Sequence, residues 1–112
     1  MQFMMKMLMD VDKAFEPNAE LMSAIGRFTD EIHKAGKLVQ TGGMSSSAKV
    51  SRIRASGGKL TVTDGPFAET KEQLAGYYLI EARDADEAAA VASKIPGASR
   101  GSVEVRAIRI VS

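Results

Sequence analysis

The residue pattern predicts an α+β fold built on an antiparallel sheet. Three observations predict it. Apolar patterns of period two and period 3.6 alternate along the chain. A Gly57-Gly58 pair sits between two alternating segments. Two helical stripes are each bracketed by helix start and stop residues. The chain has 112 residues, 45% of them apolar, which reads as a single domain, residues 1–112. A compact chain of this mass, 12.0 kDa, exposes roughly 6,000 Å² against about 17,000 Å² when extended. That burial supports a core without covalent or metal staples.

Phe3 to Met9 reads as a strand, with Phe3, Met5, Met7 and Met9 on one face and Met4 and Leu8 on the other around Lys6. Apolar character on both faces predicts a central strand. The methionines act as gap-filling core side chains, since no His or Cys accompanies them to make a soft-metal site. Pro17 suits the first turn of a helix. Leu21, Ile25, Phe28, Ile32 and Ala35 form its apolar stripe, Lys34 complements the dipole, and Gly36 is its left-handed cap. Leu38 to Gln40 is a short strand closed by Gly42-Gly43, and Met44 to Ser47 a loop.

Lys49 to Asp64 is a hairpin turning at Gly57-Gly58. A two-residue turn sets Ala55 opposite Leu60, Ile53 opposite Val62 and Ser51 opposite Asp64 on an apolar face, and Arg52 and Arg54 opposite Thr63 and Thr61 on a wet one. Gly76 to Ala82 is a further strand. Asp84 with Glu87 resembles a capping box opening a second helix, whose stripe is Ala85, Ala88, Ala92 and Ile95 and which stops at Pro96-Gly97. The last strand runs from Val103 to Ile110, and its apolar phase slips near Ala107, for which a bulge is one explanation. Strand, helix, strand, hairpin, strand, helix, strand is the split β-α-β arrangement of the ferredoxin-like folds, with an inserted β-hairpin.

Composition excludes several classes. No cysteine means no disulfide and no thiolate chemistry. A net charge of +1 with 5% aromatic residues and no Trp lacks the footprint of a nucleic-acid binder. No stretch approaches a membrane span or a secretory signal, so a cytoplasmic protein without membrane or nucleic-acid partners is expected. No metal-ligand spacing, phosphate loop or nucleophile elbow is present, and no cofactor is expected.

The densest polar constellation runs from Thr63 to Leu74. In one reading Asp64 is a catalytic general base or substrate anchor, with Glu69, Lys71 and Glu72 lining a pocket mouth. In the other, Asp-Gly-Pro is turn chemistry, Thr70 with Gln73 is a local capping pair, and the charges are a solvated face. Asp64 falls on the hairpin's apolar face, where an unpaired carboxylate is costly. Backbone amides of the turn, a cation such as Arg106, or a ligand would satisfy it. Arg106 shares a strand face with Glu104 and equally suits a pair with it. His33, the one histidine, is a substrate-binding candidate or a dipole partner near its helix end. Tyr78, on the even face of its strand, completes the substrate-binding set.

The segment TVTDGPFAETKEQLAGYYLIEA, with Asp64-Gly65-Pro66-Phe67 at its centre, resembles the DGPF proteins, a branch of the YCII-related family. The Met-rich opening strand, Phe28-Thr29-Asp30-Glu31 with Ala35-Gly36, and Gly101 to Arg106 extend the resemblance over nearly the whole chain. It implies a protomer that pairs sheet to sheet into a homodimeric α+β barrel, a small-molecule ligand of unknown identity, and a sigma factor of the extracytoplasmic-function class as a regulatory partner. The YCII branch is suspected of acid–base chemistry through a His-Asp pair. Its first-helix histidine matches Ile25 here, so that pair does not carry over, and Ala107 stands where family members often have Pro. A twofold partner sheet is also expected because the first strand and the hairpin carry more apolar surface than two short helices cover.

Overall fold

The computed structural model describes residues 1–10, 19–44, 51–64, 72–98 and 101–109. Its elements are β1 (Gln2–Asp10), α1 (Ala19–Lys34), β2 (Leu38–Gly43), β3 (Ser51–Ser56), β4 (Lys59–Asp64), β5 (Glu72–Glu81), α2 (Ala85–Ala92) and β6 (Gly101–Ala107). The chain is α+β with antiparallel sheets and two helices, compatible with a ferredoxin-like fold. Four strands form one sheet in the order β2-β5-β1-β6, and β3 and β4 form a separate two-stranded ribbon. The expected helix start at Pro17, the loop serines Ser45 to Ser47, Lys49 and Ile110 lie outside the described residues.

β1 is central, as its two apolar faces predict, with β5 and β6 antiparallel on either side. Its odd residues Phe3 and Met5 are buried, and so are Tyr78, Ile80 and Ala82 on the matching face of the β5 segment. Phe28 and Ile32 of α1 and Ala88, Val91 and Ala92 of α2, with Ile95 beyond it, complete the core. α1 ends as its sequence predicts: Gly36 adopts φ +72, and the Lys37 N–H reaches back to the Ile32 carbonyl at 3.0 Å. Asp84 caps α2 by accepting from the Glu87 N–H at 2.9 Å. The Glu87 carboxylate does not complete a box; it pairs with Arg83 at 2.6 Å and Lys37 at 3.7 Å, tying the α1–β2 connection to α2.

Three expectations are corrected by the pairing. β5 begins at Glu72, earlier than the expected Gly76, because a register shift between Met7 and Leu8 leaves Ala75 as an extra residue on β5. Gln73 therefore lies in a strand opposite Met9 and starts no helix. β2 runs through Gly42 and Gly43 because the Tyr77 ring lies over Gly42, where a Cβ would stand 3.1 Å from Tyr77 Cε1. β6 carries no bulge: it ends at Ala107, so Val103 and Val105 keep one phase and Ile108 falls beyond the strand, its N–H bonded to the Gln2 carbonyl.

Candidate functional site

The ribbon holds the predicted register at each pair from Ser51↔Asp64 to Ser56↔Lys59. Gly57 and Gly58 take φ +58 and +79, the positive values the tight turn requires. Asp64 closes the far end of this ribbon from the turn. It is exposed, and Ser51 Oγ–H donates to its Oδ1 at 2.8 Å. The Ser51 hydroxyl is a neutral donor, so it orients the carboxylate without bringing a countercharge to it. The ribbon's apolar face lies open: Ile53 is 66%, Leu60 74% and Val62 62% exposed.

The remaining candidates occupy three places. Glu69 and Lys71, with the Gly65-Pro66-Phe67 turn, lie outside the described residues, and Glu72 is described only as the first residue of β5. Tyr78 is buried in the core. Its ring meets Phe28 edge to face at 5.3 Å, and its hydroxyl lies 3.1 Å from Thr29 Oγ1. Thr29 spends its own proton on the Ile25 carbonyl, so the Tyr78 hydroxyl is the donor between them. His33 is exposed in the last turn of α1.

Arg106 projects from β6 and pairs with Glu104, whose carboxylate also lies 3.8 Å from Lys6 Nζ on the facing strand. The Arg106 hydrogen bond, aided by the charges of Arg106 and Lys6, holds the Glu104 carboxyl below its ordinary value of 4.5. The three charges share a sheet face with Met4, Leu8 and Leu79, all half-buried. That polar cluster was legible only in part: Glu104 and Arg106 share a strand face in the sequence, whereas Lys6 joins them through β1–β6 pairing.

On the opposite side, α2 and β6 border an open cleft of about 380 Å³ lined by small side chains, among them Ala89, Ala92, Ser93, Ser102 and Val103. Sequence reading missed this cleft, and the clue was the run of alanines on α2 facing a β6 that opens Gly-Ser. None of the described candidate residues lines it. Among the described residues no group of three or more His, Asp or Glu side chains is arranged to hold a metal ion. No helix among them is long and apolar enough to cross a membrane.

Comparison with known proteins places this geometry. An uncharacterized protein of Rhizobium meliloti (strain 1021) is 37% identical over 97 residues, which cover 85% of this chain and 78% of that protein. The model of the YCII-related domain matches residues 1–112, so the sheet, both helices and the Asp64 ribbon all fall within the match. The chain belongs to the YCII-related domain family.

Proposed function

We propose that the chain is one protomer of a homodimeric α+β barrel that binds a small polar or aromatic molecule in a pocket beside Asp64. Asp64 serves there as the anchoring or acid–base carboxylate, and Glu69, Lys71 and Glu72 line the pocket mouth. Sheet order supports the barrel: β5 lies between β1 and β2, and β1 between β5 and β6, as split β-α-β units require. The half-buried Met4, Leu8 and Leu79 on the face away from the helices suit a partner sheet.

The observation that carries the site is the Asp64–Ser51 pair. A carboxylate at the end of an apolar face, oriented by a hydroxyl, supports a ligand-anchoring role. The test is Asp64→Asn, with thermal unfolding and a thermal-shift screen of small polar and aromatic compounds run on both proteins. The amide keeps the shape but takes no proton at neutral pH, so the variant is expected to melt near wild type and to lose the response to any compound that stabilises wild type. A variant that melts much lower, or that responds like wild type, overturns the role of Asp64. A screen in which nothing stabilises wild type turns the reading to the regulatory alternative, a non-catalytic module associated with a sigma factor.

A further inference from the structure

Among the described residues the β3–β4 ribbon pairs with no other strand, and its apolar face is bare over Ile53, Leu60 and Val62. An isolated two-stranded ribbon is marginal in water, and an apolar patch of this kind on a lone domain calls for a covering surface. The chain's own helices cover one face of the other sheet. We infer that the ribbon is an exchange arm: in the dimer, which this inference takes from the reading above, each copy lays the Ile53–Leu60–Val62 face of its arm against the other copy.

Surface area suits a second copy as the occupant. The chain exposes 7961 Å², against roughly 6,000 Å² for a compact chain of its mass. The surplus, roughly 2,000 Å² per copy, gives roughly 4,000 Å² for a pair, within the range of obligate homodimers and far beyond what a small ligand covers. Its radius of gyration of 15.9 Å likewise exceeds the roughly 13 Å of a compact chain of this length. Charge agrees. Residues 51–64 carry Arg52, Arg54 and Lys59 against Asp64, a net +2, so the remainder of the chain carries +1 − 2 = −1. A basic arm meeting a slightly acidic body is attracted to a second copy, while two arms repel one another.

The consequence reaches the site. Asp64 and Ser51 are the last cross-strand pair on the same face as Ile53 and Val62, so a copy covering that face also supplies a wall beside Asp64. Each site is then incomplete in a lone protomer.

Two sets of substitutions test this. Ile53→Thr, Leu60→Thr and Val62→Thr together place a β-branched strand former at each position and remove the apolar face. At micromolar concentration wild type is expected to sediment at twice 12.0 kDa, and the triple variant at that mass with its far-ultraviolet circular dichroism intact. A triple variant that remains dimeric overturns the arm and leaves the dimer standing. A monomeric wild type overturns both.

Because the chain has no cysteine, Leu60→Cys adds a single thiol that reports coverage even if the triple variant fails to fold. Its reaction with a thiol reagent is expected to slow about tenfold or more as dilute protein is brought to micromolar concentration, the factor that about 1.4 kcal/mol of coverage gives. Fast reaction at all concentrations overturns the inference. So does protection that is independent of concentration, or protection that appears only with anionic lipid vesicles.

Discussion

Glu104 illustrates how one position on a strand sets a pH response. Its carboxyl titrates below its ordinary value of 4.5 because Arg106 donates to it and Arg106 and Lys6 surround it with positive charge. A lowered carboxyl favours folding wherever it is ionised. The contribution is therefore complete above pH 4.5 and is lost as pH falls through the lower folded value. Urea unfolding of wild type and Glu104→Gln is expected to show a constant gap from neutrality down to 4.5 that closes under further acidification. A gap that persists unchanged through the acid range would contradict this. Gly76 shows a different economy of space: a Cβ there would stand 2.8 Å from Met7 Cε and 3.0 Å from the Gly42 carbonyl oxygen. The sequence places this glycine at the opening of a strand, and only sheet pairing reveals that it makes room for Met7.

At the scale of elements, α2 spans eight residues, too short to form on propensity alone. It depends on its cap and on its apolar stripe. Asp84, in extended backbone at φ −156 and ψ 176, satisfies the Glu87 amide. Replacing it with Ala is expected to cost about 1 kcal/mol, and with Asn only a few tenths, measured by chemical denaturation. Equal stability of Asp84→Ala and wild type would remove the cap from the account. The capping pair was readable from Asp84 and Glu87 three residues apart. The destination of the Glu87 carboxylate was not, because Lys37 is brought beside it only by the packing of the chain. β5 teaches the same lesson, since an extra residue at Ala75 moves Leu74 opposite Leu8. Period-two reading cannot see such a slip without the partner strand.

At the scale of the whole molecule, the chain extends over 47 × 41 × 18 Å, flat for its mass, with an apolar ribbon outside the main sheet. A dimer that covers this surface is stabilised by mass action, each tenfold rise in protein concentration adding about 1.4 kcal/mol per dimer. The thermal midpoint of wild type is accordingly expected to climb as protein concentration is raised. A midpoint independent of concentration, in a protein that sediments as a monomer, would oppose the dimer. The bare face of the hairpin was foreseen from Ile53, Leu60 and Val62 sharing a side. Its isolation from the main sheet was not, because strand pairing between distant segments leaves no local trace.

What the sequence determined by itself are features with short-range causes. They include the α+β class, the central place of β1, the Gly57-Gly58 turn with the Ser51–Asp64 register it imposes, and the caps at Gly36 and Asp84. Each follows from side-chain periodicity or from backbone angles that one or two residues dictate. Tertiary structure alone decided the strand order, the Ala75 bulge, the Lys6–Glu104–Arg106 cluster, the burial of Tyr78 against Phe28 and Thr29, and the cleft between α2 and β6. Those depend on which segments meet across tens of residues, and that choice is made by the total apolar surface buried rather than by any local pattern.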